Sequence, residues 1–251
     1  MDLTKRANRQ VCDLDIRLLS TDEPVMFFDT ANVTTVGLSG DSVHAMAKGT
    51  KRIAFQNPME GTLTVEAQVY PFQIFSLLTD GTVSSSAIYP VKKTITAASA
   101  GTLAITDTNG TIKTGSLFVY PAGKFGDSSS KIAGTYATGT FTATTTSDIA
   151  ASSKYDVGYI ITRSSGVDVI TFQNSSVPKD YTITMETLDK DDQGYLTPFY
   201  IKVYKASAQR NWELSFNSEG DPASISLTFD VLENADGKMI DMIEITGDRA
   251  S

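Results

Sequence analysis

From Gly61 to Val69 apolar and polar residues alternate without a break. Leu63, Val65, Ala67 and Val69 fall on one side, and Thr62, Thr64, Glu66 and Gln68 on the other. Period two is the mark of a strand with one buried and one solvent-facing side. Tyr70-Pro71 ends this ladder, because proline lacks an N–H and suits the first turn of a helix. Phe72, Phe75, Leu77 and Leu78 then predict a short amphipathic α-helix, with Gly81 as the left-handed residue that stops it.

The same period recurs along most of the chain. Val25–Phe28 and Lys51–Gln56 read as strands before this segment. Between them, Asp29–Thr50 has weak periodicity apart from a short strand near Val33–Leu38, and reads as a long hairpin excursion. Downstream, Ile183 and Met185 alternate with Thr182 and Thr184, and Ile201 and Val203 follow Pro198. Trp212, Leu214 and Phe216 alternate with Asn211, Glu213 and Ser215, which assigns Trp212 to a buried face. Ile225, Leu227, Phe229 and Val231 alternate with Ser224, Ser226, Thr228 and Asp230. Asp236-Gly237 then predicts a hairpin turn into a closing strand, Met239–Ile245.

Composition shifts at about Val91. From there to Ser176 the chain is rich in Thr, Ser, Ala and Gly. Leu103 and Ile105 lead into Asp107-Thr108-Asn109-Gly110, a tight-turn sequence from which Ile112–Tyr120 can return as the partner strand. Thr140–Thr145, Asp156–Arg163 and Val167–Gln173 read as further strands, with Ser164-Ser165-Gly166 as a turn. A small all-β module over 91–176 is expected, inserted into a β domain formed by 1–90 and 177–251. Apolar residues at strand spacing weigh against a disordered linker.

A length of 251 residues accommodates one core and an insertion. The net charge of −8 argues against a surface that holds nucleic acid. Cys12 is the single cysteine, which excludes an internal disulfide, and a single thiol cannot build a zinc site alone. The first residues lack an apolar signal-peptide core, and no run is long enough to span a bilayer, so folding in a reducing cytoplasm with no membrane anchor is expected. The glycosylation-type triplets at Asn32, Asn109 and Asn174 are then accidents of a Ser/Thr-rich chain.

Chemistry-bearing patterns are weak. Asp189, Asp191, Gln193 and Gly194 match the opening of a calcium loop, but its twelfth position is Tyr200, where a bidentate carboxylate is needed. An acidic turn is the simpler reading. His44, the only histidine, has no neighbouring nucleophile signature. No glycine-rich phosphate loop follows a strand. No catalytic residue, metal ligand or cofactor is therefore assigned.

The segments GTLTVEAQVYPFQIFSLLTDG and ISLTFDVLENADGKMIDMIEI resemble tail tube (major tail) proteins of tailed bacteriophages. In that family a strand ending in Ala-Gln-Val runs into a short helix ending near Gly, and the chain closes with strand, Asp-Gly turn, strand. The resemblance covers about Val25–Gly81 and Tyr181–Ile245, with Val91–Ser176 as an insertion of the kind some members carry. It implies a mainly β fold: two packed antiparallel sheets, sandwich- or barrel-like, with one flanking α-helix and the inserted β module. It further implies a structural virion protein of the phage tail, not an enzyme. Such subunits self-assemble into rings, usually of six, that stack into a tube with other tail proteins. DNA passes through the lumen without specific binding. Thr62, Thr64, Glu66 and Gln68 are the candidate lumen-facing residues. The arm Met1–Leu19 and the excursion Asp29–Thr50 are the implied stacking elements. A carbohydrate-binding or adhesive β-sandwich, built on Trp212 and other aromatic residues, stays open as an alternative. So does another virion component, such as a head decoration or tail terminator protein.

Overall fold

A computed structural model describes residues 5–212, 214, 222–245 and 247. The chain divides into two compact units, Met1–Thr82 with Phe172–Ser251, and Val83–Thr171. Both are built from antiparallel strands, and the fold is mainly β.

The first unit contains one nine-stranded sheet. Its main path runs Pro24–Phe28, Asp13–Leu18, Asp180–Asp191, Leu196–Ala208, Ile225–Leu232, Glu60–Ala67 and Val33–Ser39. Arg6–Ala7 pairs with the far end of Asp180–Asp191, and Ile240–Glu244 pairs with Leu196–Ala208. Among the described residues this sheet does not close into a barrel: Pro24–Phe28 and Val33–Ser39 are its two ends.

Register aligns the apolar residues on one face. Ile16 lies opposite Ile183 and Met26, and Leu14 opposite Met185 and Phe28. Leu227 lies opposite Val65, and Phe229 opposite Leu63. All ten residues are buried. A one-residue slip would turn each row into water, so burial fixes the pairing.

Leu196–Ala208 is the branch point. Ile183 lies opposite Val203 but Tyr181 lies opposite Ala206, so one extra residue is accommodated at Tyr204–Lys205. A bulge bends its strand. Before it, Phe199–Val203 pairs with Ile240–Glu244; after it, Lys205–Ala208 pairs with Ile225–Leu232. The hydroxyl of Thr182 donates to the carbonyl of Tyr204 at 3.2 Å and satisfies the kink. The closing segment therefore differs from the expected hairpin. Its Asp-Gly turn forms, with Gly237 at φ +75° and its N–H donating to the Asn234 carbonyl at 3.0 Å. Yet the strands on either side pair in succession with the long bent strand and not with each other.

Two further expectations are corrected. The helix after Pro71 is a 3-10 helix, Phe72–Leu78, and not an α-helix. Ile74, Phe75, Ser76, Leu77 and Leu78 are all buried while Phe72 is exposed, so burial does not follow one stripe. A seven-residue segment with five consecutive buried residues, held between a proline and Gly81 (φ +80°), favours the tighter winding. The proposed arm Met1–Leu19 is not an arm over its second half. Asp13–Leu18 lies inside the sheet between two partners, with Leu14 and Ile16 buried.

The inserted unit has its own core: Leu103, Ile105, Val119, Phe141, Ile149, Val157 and Ile161 are buried together with Tyr155 and Tyr159. Lys154–Arg163 is its central strand, paired along its length with Ala87–Thr96 and on its other edge with Thr111–Ile112 and Phe118–Pro121. Thr102–Ala104, Thr140–Ala143 and Gly134–Ala137 form a second sheet. The expected hairpin through Asn109-Gly110 is absent, since Thr102–Ala104 pairs with Thr140–Thr142 instead. Gly110 serves close approach: a Cβ there would stand 2.5 Å from the Thr162 carbonyl oxygen. Asp107 is drawn inward, accepting hydrogen bonds from Tyr159 Oη at 2.6 Å and Lys93 Nζ at 3.0 Å. The tyrosine hydroxyl is the main reason its pKa falls to about 2.

Candidate functional site

Two surfaces of the first unit carry the features expected of an assembly subunit. The first is the outward face of Val33–Ser39, Glu60–Ala67 and Ile225–Leu232. Thr62 and Glu66 are exposed and Thr64 is half-buried, on the side opposite Leu63 and Val65. Thr62 stands between Gly37 and Asp230, Thr64 between Thr35 and Thr228, and Glu66 between Val33 and Ser226. The Thr64 and Thr228 hydroxyls are 3.3 Å apart, and Gln209 Nε2 donates to Asp230 at 2.6 Å. Gln68 lies just past the strand end, exposed, its N–H donating to Asn32 Oδ1 at 3.0 Å. These three strands hold Glu60, Glu66 and Asp230 and contain no Lys or Arg. The outward face is therefore hydroxyl-rich and acidic.

The second surface is the excursion. Its first half, Val33–Ser39, joins the main sheet, while Ser42–Ala47, which periodicity left unassigned, pairs with Thr50–Gln56, where Lys51–Gln56 was expected as a strand, in a two-stranded ribbon that among the described residues pairs with no other strand. Its reversal is Lys48-Gly49, both at positive φ (51° and 77°), the geometry that matches strand twist in a two-residue hairpin. The Lys-Gly dipeptide was the available signal, weaker than Asn-Gly. Val43 lies opposite Phe55 and Ala45 opposite Ile53, so these four share one side. Val43, Ile53 and Phe55 are each more than half exposed, as is Met59 near the ribbon's base. Lys48, Lys51 and Arg52 add positive charge at the tip. An apolar ribbon face left in water is the signature of an interaction surface.

The remaining candidates separate. His44 is half-buried opposite Ala54 in the ribbon. Asp191 accepts from the N–H groups of Gln193 and Tyr195 at 3.0 and 2.8 Å, so one carboxylate oxygen orders the turn that joins the two longest strands. Among the described residues no cluster of His, Cys, Asp and Glu could hold a metal ion. No helix described is long and apolar enough to cross a membrane. Trp212 is neither in a strand nor fully buried. It packs against Phe172 and Phe75, with ring centroids 5.0 and 5.5 Å away. Glu213, Ser215 and Phe216, read as the rest of that strand, lie outside the described residues.

The model of the YomU/Tube protein family matches residues 9–245. The chain belongs to this family. The match spans both units, including the insertion, and makes the chain a phage tail-tube type of structural protein. Membership in the YomU/Tube family carries with it self-association and a place in the virion tail. No curated protein sequence matches this chain.

Proposed function

We propose that this YomU/Tube protein is the repeating subunit of a tail tube: copies join edge to edge into closed rings, and the rings stack. The supporting observation is the uncovered ribbon Ser42–Gln56, whose apolar side is left exposed by its own subunit. A neighbouring ring buries Val43, Ile53 and Phe55, and the basic tip meets the acidic surface of a second copy. The ring contact uses the sheet ends, where Val33–Ser39 and Pro24–Phe28 carry unpaired backbone edges among the described residues. A contact that closes by rotation gives a ring, while stacking stays open along the axis.

The face bearing Thr62, Thr64, Glu66 and Gln68 lines the bore. Carboxylates and hydroxyls without Lys or Arg repel phosphate, so DNA slides through toward the host cell and is not retained. Assembly takes place in the host cytoplasm, alongside other tail proteins, with no cofactor and no catalytic step. The purified full chain is expected to form rings or tubes by negative-stain electron microscopy as concentration rises. Ile53→Asp with Phe55→Asp should leave a folded subunit that forms neither. Tubes of unchanged yield and length from that variant overturn the stacking role.

A further inference from the structure

The inserted unit carries a concave aromatic site outside the surfaces proposed above for ring contact and stacking. On the outward side of its central sheet, Phe118, Gly158 and Lys92 lie side by side on three adjacent strands, and Tyr120, Asp156 and Thr94 form the next row. The turn after Pro121 folds back over these rows. The Gly123 N–H donates to Asp156 Oδ2 at 3.0 Å, and Gly123 and Gly126 take φ values of +80° and +88° that suit glycine. Phe125 is thereby laid onto the strand at Gly158, where a Cβ would stand 2.6 Å from its ring.

The result is a cleft of about 420 Å³ lined by Phe118, Tyr120, Phe125, Pro90, Lys92 and Ile160, within the size range of small-ligand sites. Phe118 and Phe125 remain 45% and 44% exposed although the unit has a complete core of its own. Tyr120 meets Phe125 edge-on at 5.3 Å.

Charge at the rim selects the occupant. Lys92 Nζ sits 4.7 Å from the Phe125 ring centre and Lys131 Nζ 5.4 Å from that of Phe118. The nearby acid, Asp156, is buried and committed: Thr94 Oγ1 donates to it at 2.6 Å, Gly123 N at 3.0 Å, and Lys92 Nζ lies 3.6 Å away. No Asp or Glu is among the residues that line the cleft, so a cationic ligand would meet ammonium groups without a lining carboxylate to pair with. An anionic one with a flat, weakly polarised C–H face suits both the rings and the amines. A uronate pyranose has that chemistry. We propose that this cleft binds a uronate sugar of an acidic polysaccharide, its ring stacked on Phe118 and Phe125 and its carboxylate met by Lys92 and Lys131.

Isothermal titration of the full chain with a galacturonate hexamer, beside maltohexaose as the neutral control, tests this. The acidic hexamer is expected to bind and weaken with salt, and maltohexaose to bind far less. Phe118→Ala, and separately Lys92→Gln with Lys131→Gln, should each lower affinity about tenfold, with circular dichroism confirming an unchanged fold. Three outcomes overturn the proposal: no binding of the acidic hexamer, equal binding of maltohexaose, or unchanged affinity in both variants. A fourth does so by naming another occupant. If Phe118→Ala disperses assemblies and leaves glycan affinity unaltered, the cleft seats a second copy of the chain. Rings and tubes scored in the same samples separate failure here from failure of the tube reading.

Discussion

The two units of this chain solve the same problem, burying one side of antiparallel sheets, with opposite outcomes at the surface. Val83–Thr171 carries seven Lys and Arg against five acidic residues, whereas the remainder carries fourteen against twenty-four. The insertion encloses a compact core of its own. The larger unit instead keeps a wide acidic and hydroxyl-bearing face, sheet ends unpaired among the described residues, and an apolar ribbon side that is exposed. A unit with an enclosed core and one that leaves apolar groups and sheet ends exposed can thus share a chain, a secondary-structure class and a family. What distinguishes them is the chemistry left outside each core.

The most severe test of this contrast is charge in the buried rows. Leu227→Asp sets a carboxylate between Val65 and its buried neighbours, at a cost of at least about 3 kcal/mol. The expected outcome is loss of the cooperative thermal transition of the larger unit. A wild-type melting curve would show that the buried face is misassigned.

Reversing charge at the ribbon tip should be milder. Lys51→Glu with Arg52→Glu is expected to slow tube growth about tenfold at low salt, with the difference narrowing as salt is raised. Light scattering against ionic strength reads this directly, and a salt-independent deficit would point away from electrostatic pairing.

Smaller again is the bore. Thr62→Lys with Glu66→Lys should leave assembly intact but make tubes retain duplex DNA in a salt-sensitive manner, measurable by co-sedimentation. Tubes that still release DNA would place this strand face elsewhere.

The gentlest effect belongs to the insertion. Hydrogen bonding from Tyr159 and Lys93 lowers the Asp107 pKa to about 2. A carboxylate depressed in the folded state stabilises it at neutral pH, and that contribution is lost as pH falls from ~4 through ~2. Near-ultraviolet circular dichroism of the tyrosines should show wild type losing stability over that window. Asp107→Asn should start lower at neutral pH and change less.

The strands of the larger unit were legible because burial on one face writes itself as period two. Leu63, Val65, Leu227 and Phe229 alternate with polar residues and occupy one buried face. Pairing was less legible. The Asp-Gly turn at 236–237 predicted a hairpin, yet what its flanking strands pair with depends on the bulge at Tyr204–Lys205, which no local pattern announces. Asn109-Gly110 failed for a related reason: the glycine answers to a backbone distant in sequence. The 3-10 helix and the depth of Asp13–Leu18 in the sheet depend on what surrounds them. Of the surface features, Thr62, Thr64 and Glu66 share one face as their alternation implied. The ribbon register was not readable, because both sides are open to water and nothing in the subunit marks an inside. The aromatic cleft gave no linear signal, since Phe118, Phe125 and Lys92 meet only through strand pairing and a folded-back turn.

The kink at Tyr204–Lys205 makes Leu196–Ala208 a trunk with two limbs. Neither Ile225–Leu232 nor Ile240–Glu244 can peel off without baring amides on the stem that holds the other. Opening is thereby made concerted across segments that never touch by hydrogen bonds, and solvent protons should reach the amides of Val203 and Ala206 last of all.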